Sequence, residues 1–518
     1  MRRLTGTTIL TLLAAFLAGL PSPAAASSDD RVRTDDGLLQ GSVTAKNRHF
    51  QAIPYAAAPT GALRWRSPRP PVPWPGVRDA TKAGQPCAQI GAEGPNQPLH
   101  FIGSEDCLFL NVTTPRTTRK SLPVLVFLHG GGLVNGSGSA YNSDRIAQRD
   151  TIVVTLNYRL GALGFLRHPA LSDPYAGNFG TADQAAALRW VRHNIAAFGG
   201  NAHNVTVSGE SAGAFSVCAL LAAPPAHGLF DKAIVASGPC ANPFTDRRTA
   251  DRHGRVFADE VGCADQTSAC LRRVPAKELM RQSDIDQVYG QLHRRTADVP
   301  WTPVTGTAFL PLQPLQALRL GASANVPIMH GGTKDEMRGH VATVYDSQSG
   351  PVTAAGYPAA VRAVFGSDAD RVLAAYPAGK YPSPSLALAT LLTDYGKYVG
   401  ACSQLPAIDA MRSPVFAYEY AQSSGEHVGD FPLGAYHGAD IGYLFDGNFP
   451  GTQPPNWTPE ERAFAGRLTG YWTEFARTGR PWPAYQKGSA TVLSIAMAHT
   501  GPVNIAQTHN CGFWRTIS

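Results

Sequence analysis

The pentapeptide Gly209-Glu210-Ser211-Ala212-Gly213 sets a serine hydroxyl between two glycines, and its surroundings decide whether that hydroxyl can attack an electrophilic carbon. Val205, Thr206 and Val207 form a β-branched run that reads as a buried strand. Ala212, Phe215, Cys218, Ala219 and Ala222 then recur at helical spacing. A serine at such a strand-to-helix turn takes up a sharp, strained conformation that lifts its hydroxyl above the sheet. Glycines on either side leave room for the turn, and the helix N-terminus favours the negative charge of an alkoxide or a tetrahedral oxyanion. In a chain with 52 glycines among 518 residues the pentapeptide alone is weak, so the strand before it and the helix after it carry the reading.

A serine becomes a nucleophile only when a base takes its proton and an acid holds that base in the correct tautomer. On a parallel sheet built this way the partners follow the serine in the order acid, then histidine. The stretch GGTKDEMRG, Gly331 to Gly339, follows a strand-like run and carries Asp335 and Glu336; the residues themselves leave open which of the two is the acid. His437 stands among small residues in GAYHGADIGYLF. The run His129-Gly130-Gly131-Gly132 ends an apolar strand and offers backbone N–H groups free of side chains, which an oxyanion hole needs beside the N–H of Ala212. A histidine base predicts that kcat/KM rises with pH through one ionisation near the ordinary imidazole value of about 6.5.

The elements that must position these residues are legible in the apolar pattern. Val124 to Leu128, Thr151 to Arg159, Lys232 to Ser237, Val326 to Gly331 and Pro414 to Tyr420 read as buried strands. Asp183 to Gly200 reads as a helix ended by Gly-Gly, and Pro459 to Thr478 as a long late helix. Alternation of this kind implies an α/β architecture: a large, mostly parallel central sheet covered by helices on both faces. Residues 246 to 300 and 353 to 412 are polar and helical in character and are expected as insertions over the C-terminal edge of the sheet.

Residues 1–26 are expected to be a secretory signal peptide, with Arg2 and Arg3 before an apolar stretch and Ala24-Ala25-Ala26 at its end. Residues 27–518 then form a single domain. The formal charge of +7 is spread along the chain without a basic block, which argues against a nucleic-acid partner, and no later stretch is apolar enough for stable membrane insertion. Eight cysteines in an exported chain are expected to be paired. No Cys/His cluster has zinc spacing and neither phosphate-binding nor dinucleotide-binding glycine pattern occurs, so no metal or cofactor is implied.

Together with IPYAAAPTGALRW (Ile53 to Trp65), EDCLFLNV (Glu105 to Val112), NYRLGALGFL (Asn157 to Leu166), FARTGRPW and CGFW, these motifs resemble the type-B carboxylesterases. That family of carboxylesterases, cholinesterases and bile-salt-activated lipases has the α/β-hydrolase fold. The resemblance implies Ser211 as nucleophile, Glu336 as the acid, His437 as the base, and Gly131, Gly132 and Ala212 as the oxyanion hole. It also implies disulfides Cys87–Cys107, Cys263–Cys270 and Cys402–Cys511, with Cys218 and Cys240 outside the family's usual set. Phe244 matches the position of an acyl-pocket aromatic. Two positions depart from the pattern: Asp440 stands where relatives carry Glu, a change expected to matter little, and Thr305 replaces an acid, which puts one local turn in question. The loop Ala88 to Asp106 holds no Trp or Tyr and only Phe101 as an aromatic, so a cation–π site for choline is not expected. The implied activity is hydrolysis of a small-molecule or lipid ester. A lipase or sterol esterase, an amidase and a non-catalytic cholinesterase-like binding protein are the rivals.

Overall fold

Strands buried on both faces need apolar residues at nearly every position, and the middle of this chain supplies several. The computed structural model describes residues 29–92, 98–290, 299–446 and 457–517, and the expected leader lies outside them. Eleven strands join in one sheet. In chain order they are β1 (Ser42–Val43), β2 (Asn47–Pro54), β3 (Phe109–Pro115), β4 (Leu122–Leu128), β5 (Ile152–Leu156), β6 (Gly200–Glu210), β7 (Lys232–Ala236), β8 (Ile328–Thr333), β9 (Val415–Tyr420), β10 (Thr491–Ile495) and β11 (Thr500–Asn504). Their spatial order is β11-β10-β9-β8-β7-β6-β4-β5-β3-β2-β1. From β5 to β10 the neighbours are parallel, and the sheet is finished at both edges by antiparallel pairs.

The helices that flank the strands are α1 (Phe179–Asn194), α2 (Ala212–Ala222) and α3 (Arg247–Glu260), then α4 (Gln282–Gly290), α5 (Tyr357–Phe365), α6 (Pro384–Tyr395) and α7 (Pro459–Thr478). Side chains of β4 alternate between two apolar layers. Val124, Val126 and Leu128 join the larger core with α1 and α2, while Leu125 and Phe127 pack with Phe464, Leu468, Trp472 and Phe475 of α7. Each such fully buried large side chain stabilises the fold by about 1.5–3 kcal/mol. The helix α7 starts at a capping box in which Thr458 and Glu461 satisfy each other's backbone N–H, and ends on Gly479 at φ 74°.

Helix α1 begins four residues before the position its apolar spacing suggests. Phe179, Gly180, Thr181 and Ala182 are buried against the strand-end segment that carries Arg159, and a Cβ on Gly180 would lie 2.5 Å from the Arg159 carbonyl oxygen. The buried Arg159 guanidinium grips Asp183 with two bonds of 2.7 Å, which fixes the first turn of α1 against the end of β5. Four disulfides cross-link the chain: Cys87–Cys107, Cys218–Cys240, Cys263–Cys270 and Cys402–Cys511. Thr305 pairs with Asp246 in a two-strand ladder and accepts a bond from Gln313 Nε2 at 2.9 Å, so the local turn is ordered without an acid there. Among the described residues no helix is long and apolar enough to cross a membrane.

Candidate active site

Strand β6 carries the chain up to Glu210, and the backbone reverses at Ser211 with φ 55° and ψ −122° before α2 begins at Ala212. This left-handed backbone is costly for a residue with a Cβ, on the order of 1–3 kcal/mol, and persists only where its surroundings impose it. Here the surroundings are steric. A Cβ on Gly209 would lie 2.3 Å from the carbonyl carbon of Gly213, and one on Gly213 would lie 2.0 Å from the Leu128 carbonyl oxygen. Both glycines are therefore obligatory, because the first turn of α2 is pressed against the ends of β6 and β4. The Ser211 N–H donates to Ala236 O at 2.9 Å, which ties the turn to β7.

The glycine run after β4 passes beside this turn. A Cβ on Gly130 would come 3.1 Å from Ser211 Cβ, so the two segments are in contact only because that position is bare. Gly131 and Gly132 have φ of 100° and 61°, values that few residues other than glycine adopt. Among the described residues the N–H groups of Gly131, Gly132 and Ala212 donate no hydrogen bond. His129 is held apart from the chemistry: its ring stacks on Tyr158 at 4.3 Å, its Nδ1 bonds Gly130 O at 2.8 Å, and burial pushes its pKa down to about 4.

Of the two acidic candidates, the structure joins Glu336 to the histidine. His437 Nδ1 lies 2.6 Å from Glu336 Oε2, and Glu336 Oε1 accepts the Thr333 N–H at 2.8 Å. A Cβ on Gly332 would fall 2.6 Å from that oxygen, so the end of β8 is glycine to admit the carboxylate. Asp335 faces elsewhere, bonding Arg338 at 2.9 Å and accepting the Ala435 N–H at 3.0 Å. The second imidazole nitrogen, Nε2, faces Glu210 Oε1 at 3.3 Å. Ser211 is 8% exposed, and its Oγ makes no hydrogen bond among the described residues. The structure thus brings His437, Glu336 and Glu210, the residue that precedes Ser211, together.

Glu210 is the residue that sequence reasoning passed over, although it is the variable position of the serine pentapeptide and its acidic character was the available signal. It is buried, and burial pushes its carboxyl up to about 8 against the opposing pull of His437. Burial alone would lower the His437 imidazole, but the charges of Glu210 and Glu336 and the bond to Glu336 outweigh it and raise the group to about 9. The ordinary value near 6.5 expected from sequence is therefore not retained, because two carboxylates flank the ring. Asp440 is also nearer the chemistry than its conservative replacement suggested. Buried at the start of a short helix, it is raised to about 7 by burial and by Glu336, and it interacts with His437.

Phe244 is buried and meets Phe215 of α2 edge to face at 6.5 Å, while Phe215 meets Tyr398 at 5.1 Å. Phe244 therefore packs on α2, the helix that follows Ser211. Among the described residues no group of three or more His, Cys, Asp or Glu is arranged to hold a metal ion.

A strained serine on a β-turn-α element, a histidine–carboxylate pair on later strand ends and a central parallel sheet define an α/β hydrolase. The carboxylesterase family model matches residues 28–514, and the chain belongs to that family: it is a carboxylic ester hydrolase. It is 34% identical over 484 residues to the para-nitrobenzyl esterase of Bacillus subtilis, covering 90% of this chain and 94% of the relative. It is 34% identical over 498 residues to the fumonisin B1 esterase of Sphingopyxis macrogoltabida, covering 91% and 88%. A solved PNB esterase structure superposes with a TM-score of 0.77 at 31% identity, covering 94% of this chain and 99% of that one.

Proposed function

We propose that the protein is a secreted serine carboxylesterase, residues 27–518 forming its domain, in which Ser211, His437 and Glu336 work as a triad. The observation that carries this reading is a strained Ser211 whose chain neighbour Glu210 lies 3.3 Å from a His437 held by Glu336 at 2.6 Å. Glu336 accepts from Nδ1, which leaves Nε2, the nitrogen that faces Glu210, as the basic one. His437 takes the serine proton as Oγ attacks the ester carbonyl, and the N–H groups of Gly131, Gly132 and Ala212 hold the resulting oxyanion. The tetrahedral adduct collapses as His437 protonates the departing alcohol. Water, deprotonated by His437, then attacks the acyl-enzyme, and Ser211 recovers its proton as the acid leaves.

Phe244 forms the acyl side of the site, and small-molecule esters with modest acyl groups are the substrates this wall favours. Relatives whose names give para-nitrobenzyl and fumonisin B1 esters as their substrates support an ester of non-choline type. Secretion is supported by the apolar leader and by four disulfides.

The test is hydrolysis of p-nitrophenyl esters from acetate to palmitate by the mature protein beside Ser211→Ala. Activity that peaks at short chains and falls by about 10⁴-fold or more in the variant is the expected result. A peak at long chains would make the protein a lipase or sterol esterase. Equal, negligible rates in both folded proteins would leave a binding protein.

A further inference from the structure

The Cys218–Cys240 disulfide lies outside the set that the family resemblance implies, and it is the cross-link that touches the helix of Ser211. Cys218 stands two turns into α2, and Cys240 lies four residues past the end of β7. Both are essentially inaccessible, at 0% and 1% exposure. Between the bond and the strand, Ser237 is turned to φ 54° and its N–H donates to Gly331 O at 2.8 Å. Gly238 is pressed on the start of α2: a Cβ there would meet Ala214 Cβ at 2.5 Å and the Ser211 carbonyl oxygen at 2.8 Å. Beyond Cys240 the Asn242 amide donates to the Tyr398 carbonyl, and the backbone of Phe244 exchanges two 2.8 Å bonds with the Gln313 side chain. Phe244 then returns to α2 through Phe215.

We propose that Cys218–Cys240 is a specificity-determining cross-link that holds the segment from Ser237 to Phe244 against the Ser211 helix and so limits the length of acyl chain the enzyme accepts. The inference rests on the proposed reading of Ser211 and Phe244. Its physical basis is that one end of the segment is packed on the main chain of Ser211 and the other end presents the aromatic wall. The covalent bond sits between them and leaves the wall no freedom to retreat. Side-chain hydrogen bonds at Asn242 and Gln313 exchange readily for water when a loop shifts, whereas the disulfide does not open. Removing both sulfur atoms also opens space on the face of α2 that Phe215 shares with Cys218, three residues on, and so loosens the packing there. The other three disulfides have no such placement. Cys402–Cys511 joins the C-terminal turn to a distant loop and serves as the control.

The experiment compares kcat/KM for p-nitrophenyl hexanoate with that for acetate in the mature wild type, in Cys218→Ala/Cys240→Ala and in Cys402→Ala/Cys511→Ala. Both double variants are expected to melt at lower temperature. The hexanoate-to-acetate ratio is expected to rise by about fivefold or more in the first and to stay at the wild-type value in the second. A ratio unchanged in the first variant, with only the melting temperature lowered, would overturn the proposal, since a purely structural cross-link does that and nothing more. An equal rise in both variants would overturn it too. Should the first variant not fold, Cys218→Val/Cys240→Ala, which removes the same cross-link and refills part of the space it leaves, is read on the same two esters: a higher ratio supports the proposal and an unchanged one overturns it. Failure of the underlying reading is distinct, because the wild type would then turn over neither ester faster than Ser211→Ala.

Discussion

At the residue scale the site is a balance of charge around one imidazole. His437 lies between Glu336 on one nitrogen and Glu210 on the other, and their charges raise it to about 9 despite its partial burial. In the proposed mechanism His437 must be neutral to accept the serine proton, so kcat/KM should climb with pH across a window above 6.5, its midpoint reporting the coupled Glu210–His437 pair. Glu210→Gln removes the largest of the three raising charges, those of Glu210, Glu336 and Asp440, and the midpoint of the kcat/KM profile should fall by about one unit. Identical profiles would exclude Glu210 from the electrostatics of the base. Strain at Ser211 is testable separately. Ser211→Gly relieves a φ of 55° that Ser211→Ala retains, so the glycine variant should be the more stable of the two inactive proteins by about 1–3 kcal/mol in urea denaturation. Equal stabilities would mean that the turn stores no strain.

At the element scale the turn between β6 and α2 depends on close approach of backbones. Gly213→Ala places a methyl group 2.0 Å from the Leu128 carbonyl oxygen, so α2 must withdraw from β4. The cost should be about 1–3 kcal/mol of stability together with a large fall in kcat, because the Ala212 N–H moves with the helix. Denaturation and kcat of this variant check both. The same elements show what the sequence revealed. Val205 to Val207 and the helical spacing after Ala212 announced the turn, because a fully buried strand and a small-residue helix have unambiguous patterns. The long late helix, Pro459–Thr478, was equally legible, since Thr458, Pro459 and Gly479 mark its ends. The early start of α1 was not, because Gly180 and Thr181 are poor helix formers held helical by contact with Arg159. The local pattern left Asp335 and Glu336 equal, and only the family resemblance favoured Glu336, for a related reason: adjacent residues at a strand end point to different partners, and the fold gives one to Arg338 and the other to His437. The proximity of Glu210 to His437 spans 227 positions of sequence, and no local pattern encodes it.

At the scale of the whole molecule, a second histidine ties the C-terminal segment to the sheet. His509 is buried, with Nδ1 2.6 Å from Asp394 of α6 and Nε2 2.7 Å from Glu419 of β9. Tyr376 donates to the other oxygen of Asp394 at 2.8 Å, and the neighbouring Cys511 is bonded to Cys402. Burial opposes protonation of His509, but the bonds and charges of the two carboxylates raise it to about 9. Its folded value exceeds the unfolded value of 6.5, so its contribution is complete below about pH 6.5 and is lost as pH rises through 9. The contribution is on the order of 2–3 kcal/mol. Urea denaturation at pH 6 and pH 9.5 should show this loss in the wild type and a much smaller one in His509→Gln. Parallel losses in both proteins would assign the alkaline instability elsewhere.

The most direct measurement is to quench the mature enzyme with acid during turnover of a p-nitrophenyl ester and locate the acyl group by peptide mass mapping. The account predicts a single acyl adduct on Ser211, absent from Ser211→Ala and longer-lived in His437→Ala supplied with enough substrate to acylate it. Hydrolysis that proceeds with Ser211 unmodified, or an adduct on another residue, would contradict it.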